Sequence, residues 1–503
     1  MNRSNTRPSN IFLIALLSLA LGSVSTVCAQ EPEVHSFAKA GLSLDEAFRL
    51  ALAHNFQVRV ALLDQQDARQ NLMQARSRYD TTLNLGVDYS MDKREQSSVI
   101  MGTKSTAGHL RMGLSKDLPT GTTLGLDWVN TRSTSSSGFV ANPELYDEQL
   151  RLSAHQDLLQ NFAGIVDRGT VRLTELSVDQ IDLDTLNRIE STLAEVSDQY
   201  YAWAEAGLAV EIQEMALQKA EELLEIFLLK KDRGVVEDRD LLASRANVEA
   251  RRADLLLTRA KLETLAEGLA FLLQVPSLKD SVPTEGLNPG EIEISAGEAL
   301  KRALKQRRDL RQAELDLEKE TLGARIARSE LLPQLDLYGA VSGNRLDEHF
   351  ESGRSPLFTD EHPTYEVGIT GTLPLENRRE RAAFKQARLR REKAELALEE
   401  LQKNIVVEIA DAVRQVETAK TNSSLREKIA DLQAQKLKAE ENQFELGRSR
   451  SKDVIDFQQD LYTSQLLHNA SLLAYRRALT KLQLTQNQLL VYFEDEIKKE
   501  FTH

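Results

Sequence analysis

A chain of 503 residues has room for several globular domains, but 5% aromatic and 28% charged residues suit long helices better than several compact cores. The net charge of −14, with the basic residues dispersed, gives no reason to expect a nucleic-acid partner. One cysteine excludes a disulfide framework within the chain.

The N-terminus reads as an export signal over residues 1–29. Arg3 and Arg7 precede an apolar run from Ile11 to Leu21, and Val27-Cys28-Ala29 is a small-residue cleavage site before Gln30. Cys28 as a lipid acceptor is the alternative, although Val27 suits the preceding position poorly. Cleavage after Ala29 leaves a mature chain without a thiol. Downstream, no apolar run approaches the roughly 18 residues of a membrane helix. An exported chain of this kind is either periplasmic or crosses a membrane as β-strands.

Beyond the signal the chain reads as one design used twice, over 30–274 and 294–503, joined by a Pro- and Gly-containing connector at 275–293. Leu42 to Ser90 aligns without a gap with Ile294 to Ser342 at a shift of about 252. Each copy opens with a serine (Ser43, Ser295) three residues before a glutamate (Glu46, Glu298), the spacing of a capping box. A continuous helix is expected after it, ending where the apolar period changes from 3.6 to 2.

Strands follow, at about 80–158 and about 333–374. Leu83, Leu85, Val87, Tyr89 and Met91 alternate with polar residues, as do Leu110, Met112 and Leu114, then Leu124, Leu126 and Trp128, then Leu150 and Leu152. The second copy has Leu335 and Leu337, then Val367 and Ile369. One apolar and one polar face suit a wall between lipid and water. A half-buried sheet in a soluble domain gives the same alternation, and the strands alone leave both open. Polar stretches 93–108, 131–146 and 344–362 read as external loops, and Leu118-Pro119-Thr120-Gly121 as a tight turn. The first copy thus has four strands and the second two. The extra hairpin either widens a barrel or folds as an accessory.

Long helices come next, from about Asp167 to Lys231 and from about Asn377 to Glu445, almost free of Gly and without Pro. At 1.5 Å per residue each extends about 100 Å, a length found in coiled coils and helical barrels. Returning helices complete hairpins over about 167–274 and 377–492. The hairpin tips repeat at a shift of about 213, Gly447 answering Gly234 and Asp453 answering Asp240. Asp240 and Asp453 suit the starts of the returning helices, as caps. Tyr200, Tyr201 and Trp203 read as packing between helices. The histidines lack metal spacing, and no nucleophile elbow or phosphate loop is present, so neither catalysis nor a cofactor is expected.

This order of elements resembles the TolC-like outer membrane efflux proteins over essentially the whole mature chain. The duplication, Leu373-Pro374-Leu375-Glu376-Asn377-Arg378 where the last strand enters the helix, its counterpart Asp157-Leu158-Leu159-Gln160-Asn161-Phe162, and the tip from Gly447 to Asp456 carry the resemblance. It implies a mainly α fold with a membrane β-barrel: a homotrimer pooling its strands into one outer-membrane barrel and its helices into a periplasmic α-helical barrel. The usual wall is about twelve strands, and six per copy would give about eighteen. It further implies an exit duct of a tripartite efflux or type I secretion system, opened at the tips by a periplasmic adaptor and powered by an inner-membrane RND or ABC-type pump. Asp453 and Asp456 fall on the acidic positions that line the closed entrance. Arg448 and Arg450 fall in the turn that ties neighbouring hairpins, with Asp238 and Asp240 as candidate partners. Gly234, Val235, Val236, Gly447, Arg448 and Ser449 are the adaptor-contact candidates. The competing reading is a periplasmic coiled-coil scaffold with a soluble β-domain, and a secreted hydrolase has no motif behind it.

Overall fold

The computed structural model describes residues 41–94, 104–137, 142–232, 238–279, 281–290, 292–349, 363–446 and 448–491. The export signal and Cys28 lie outside the described residues. The chain runs β1 (Gly41–Leu42), α1 (Leu44–His54), α2 (Phe56–Arg76), β2 (Thr81–Asp92), β3 (Ser105–Leu118), β4 (Thr122–Ser135) and β5 (Glu144–Asp157). Then come α3 (Ile165–Asp232), α4 (Asp238–Leu273), β6 (Val282–Pro283), α5 (Ala296–Gln306), α6 (Arg308–Glu330), β7 (Gln334–Asp347), β8 (Thr364–Thr372), α7 (Arg378–Glu445) and α8 (Ser451–Thr485).

The helix opening each repeat is not continuous. It breaks at Asn55 and at Arg307, which occupy equivalent positions and both adopt extended backbone, φ −61°, ψ 134° and φ −64°, ψ 121°. Asn55 accepts hydrogen bonds from the Gln57 and Val58 amides, the capping role that restarts α2. Arg307 instead reaches Asp309 and Glu408, binding the break to α7. The Ser43 hydroxyl caps α1 through the Glu46 amide at 3.2 Å, whereas Ser295 makes no side-chain cap.

Helices α3 and α7 each span 68 residues. Packing of α2 on α3, α3 on α6 and α6 on α7 sets the order α2–α3–α6–α7 next to the sheet; farther down it is α4–α3–α8–α7. Most of the core lies at the waist between these levels. There α1, the connector and the middle of α3 enclose Tyr200, Tyr201, Trp203, Leu193 and Leu269. Tyr200 donates to the Leu42 carbonyl at 2.8 Å, and β1 pairs in parallel with β6, so the first residues described are bound to the connector. The second returning helix ends at Thr485, short of Tyr492, which lies outside the described residues. Left-handed Asn487, φ 52°, turns the chain back there. The buried Glu190 carboxylate then holds it, accepting from Asn487 Nδ2 at 2.6 Å, the Leu489 amide at 2.8 Å and Arg308 at 2.5 Å.

All six long strands form one antiparallel sheet in the order β2-β3-β4-β5-β7-β8. They run farther into the polar stretches than alternation of apolar residues suggests. Ser105, Ser135, Glu144 and Asp347 are still in strands, because cross-strand hydroxyl pairs such as Thr106–Thr134 continue the ladder where leucine stops. Gly121, φ 72°, makes the expected tight turn, its amide bonded to the Leu118 carbonyl at 3.1 Å.

Candidate functional site

The sheet has two chemically distinct faces across its full width. One row of opposed residues reads Leu83, Leu114, Leu126, Leu152, Val341, Tyr365, an apolar residue on every strand. The adjacent row on the other face reads Asn84, Gly113, Asp127, Arg151, Ser342, Thr364. Period-2 alternation, kept in register by the ladders, places most apolar side chains of these strands on one side, with Val129, Leu145, Tyr338 and Leu346 on the other. Among the described residues no part of the chain covers that side: Val87 is 83% exposed, Val367 82% and Tyr365 77%. On that face Trp128 and Tyr365 follow the last aliphatic residue of β4 and β8 toward the loop end, as in the aromatic girdle of a membrane barrel. Two carboxylates of the polar face are paired with arginines. Arg151 reaches Glu366 at 2.6 Å across β7, and Arg111 reaches Asp88 at 3.1 Å.

At the opposite end lie the tips. Gly234, Val235, Val236 and Gly447 are outside the described residues. In the second tip the Arg448 amide bonds the Gln443 carbonyl at 2.9 Å, closing the end of α7, and the Ser449 hydroxyl bonds Glu440. Arg450 occupies the N-cap position of α8 with extended backbone and no side-chain cap. Asp453 therefore sits inside the first turn, as Asp240 does in α4, and neither caps its helix as the sequence suggested. Both still act favourably on the helix dipole. Asp453 and Asp456, three apart, share the face of α8 away from the buried Val454 and Gln458. Asp453 is half-buried, whereas Asp456, Arg448 and Arg450 are exposed.

Within one copy the arginines and their candidate partners are not brought together. Asp238 pairs with Lys231 at 2.7 Å, and that hydrogen bond holds its carboxyl below the usual carboxylate range. Asp240 lies 3.9 Å from Arg239. Among the described residues Arg448 and Arg450 make no ion pair.

What joins the two hairpins near their tips is mostly apolar. Phe227 of α3 meets Phe444 of α7 edge-on at 6.0 Å, beside Leu223, Leu241 and Ile455. Higher up, Ile212, Ala216 and Tyr462 form a second small cluster, with Arg251 of α4 bonded to Gln459 of α8. Burial pushes the Tyr462 hydroxyl up to about 12. Sequence reasoning missed these contacts. Two phenylalanines close to hairpin tips in an aromatic-poor chain were the available signal.

Residues 299–487 match the family model of the outer membrane efflux protein. No curated protein matches the sequence. Among solved structures, the chain is similar to CusC, described as forming a transmembrane channel, at 16% identity with a TM-score of 0.67, covering 91% of this chain and 98% of that one. The Campylobacter jejuni CmeC outer membrane channel gives 16% identity, a TM-score of 0.66 and 94% coverage of both chains. The open state of the Neisseria gonorrhoeae MtrE outer membrane channel gives 19% identity, a TM-score of 0.64 and 88% coverage of both. At these identities the likeness is one of fold, and it extends over both repeats.

Proposed function

We infer that this chain, a TolC-like outer membrane efflux protein in family and in fold, is a passive exit duct that spans the outer membrane and reaches into the periplasm. The observation that carries the reading is the uninterrupted apolar row on all six strands, left bare by the described residues of its own chain and joined to helices of 68 residues. A soluble β-domain on a scaffold would cover such a face. Lipid is the solvent that suits it.

The duct is a homotrimer in this reading. The outer edges of the helical layer support it, since α2 leaves Leu63 and Met73 exposed, α4 Leu256 and Leu257, and α7 Val407 and Leu432. A neighbouring copy covers these stripes. Asp453 and Asp456 then ring the periplasmic entrance with about six carboxylates, a filter that favours cations. Arg448 and Arg450, without ion pairs among the described residues of one copy, take acidic partners across the seam, Asp238 and Asp240 being the nearest in kind. A periplasmic adaptor docks on the tips, where Arg448 and Ser449 are accessible and where Gly234, Val235, Val236 and Gly447 lie in sequence. The driving force comes from an inner-membrane pump of the RND or ABC class.

Fractionation tests the reading. The mature protein should leave outer-membrane preparations with detergent and not with high salt, at a mass of three chains. Release by salt as a monomer would remove it.

A further inference from the structure

The second repeat supplies two strands that pair directly, β7 with β8. In the first repeat, β2 and β5 occupy the equivalent places, but β3 and β4 stand between them. The hairpin from Ser105 to Ser135 is thus an insertion into the sheet itself. Its apolar residues Met112, Leu114, Leu126 and Trp128 share the face of Leu85, Leu152 and Val341. Its polar face is also built like the rest. Asp127 lies flat across Gly113, where a Cβ would come within 2.6 Å of its oxygen, just as Tyr338 lies flat across Gly368. Side chains laid along the wall leave the space beside it open.

The two free edges fit each other. β2 runs toward the loops and β8 runs back, because each successive strand of the sheet is antiparallel to the last. A β8 edge therefore meets a β2 edge of a second copy in the antiparallel sense, with Tyr365 and Val367 on the same face as Val87 and Tyr89. These four are among the most exposed apolar side chains of the protein. We propose that β8 of each copy pairs with β2 of the next, and that the inserted β3–β4 hairpin is part of the closed wall. This proposal rests on the trimeric reading above. Three copies give about eighteen strands instead of the twelve that two strands per repeat would give. Barrel diameter grows about linearly with strand number, so the exit is about half as wide again. Walls of this size enclose an aqueous channel. The helical layer keeps four helices per copy at each level, so the conduit flares where it enters the membrane. Its mouth suits bulky hydrophilic cargo.

Cys28 is the sole cysteine, so single thiols placed in the mature chain report alone. In outer-membrane vesicles, Asp127→Cys and Ser115→Cys should react with a membrane-impermeant maleimide about tenfold faster than Leu126→Cys and Leu114→Cys. A lipid-soluble maleimide should label the two leucine positions. Equal reaction at all four positions would place the hairpin in water and overturn the insertion while leaving the duct reading intact. Closure is read separately. Val367→Cys, combined in turn with Val87→Cys, Tyr89→Cys and Met91→Cys, should give disulfide-linked chains up to trimers with at least one partner. No link with any of the three, in protein that still extracts at the mass of three chains, would overturn the pairing of edges, whereas loss of that mass would overturn the trimeric reading instead.

Discussion

The waist and the tips use the same four-helix arrangement but are held very differently. At the waist, the connector, α1 and the C-terminal turn all converge on α3, burying Tyr200, Trp203, Leu193 and the fully enclosed Glu190 carboxylate. At the tips, one small cluster around Phe227 and Phe444 joins the hairpins, and most charged side chains are exposed. Local stability follows buried contact, so the tips open at a small fraction of the free energy that loosens the waist. A duct gated at one end needs that gradient.

The largest expected effect is at the waist. Glu190→Ala leaves Arg308 without its buried partner and frees the Asn487 turn, a loss of about 3–5 kcal/mol. The midpoint of guanidinium unfolding should fall accordingly. An unchanged midpoint would remove the waist as the anchored end.

Phe227→Ala should lower stability by less than Glu190→Ala does, because its buried cluster is small and lies near the hairpin ends. It should nevertheless raise the fraction of time spent open in single-channel recordings. A stability loss as large as that of Glu190→Ala, with opening unchanged, would reverse the comparison. Replacing both Asp453 and Asp456 by Ala should leave unfolding almost untouched and shift the reversal potential toward nonselectivity. Retained cation preference would retire the two residues as the filter.

A smaller effect is expected in alkali. Burial raises the hydroxyls of Tyr201 at the waist and Tyr462 lower down to about 12 from an ordinary value near 10. The folded protein therefore binds these protons more tightly than the unfolded chain. Their contribution is complete below pH 10 and is lost as pH rises from about 10 to about 12. Tyr462→Phe should flatten the stability profile in that window, and an identical profile would show that its hydroxyl carries no such linkage.

The parts legible in the sequence are those the repeat states twice or a period states plainly. Both 68-residue helices, the four-plus-two strands and the start of the second returning helix follow from apolar spacing and the two shifts. The in-plane position of β3–β4 was not legible, because alternation fixes a strand's faces but not its neighbours. The breaks at Asn55 and Arg307 were visible only as a capping residue in one copy. The Glu190 clamp was hidden for a different reason. Its counterparts in the other half of the repeat are Lys403 for Glu190 and Phe56 for Arg308, so self-comparison reports a mismatch and not a site. At the second tip, the pattern fixed which residues share the turn and left their pairing partners open, since Arg448 and Arg450 make no ion pair among the described residues of one copy.

Tryptophan quenching tests the lipid-facing wall most directly. The chain has two tryptophans: Trp203 is buried in the waist, and Trp128 lies on the apolar face of the inserted β4. In vesicles containing brominated phospholipid, the wild-type protein should lose the Trp128 share of its emission, and Trp128→Phe should abolish the loss. Quenching by aqueous iodide in place of brominated lipid would contradict the account.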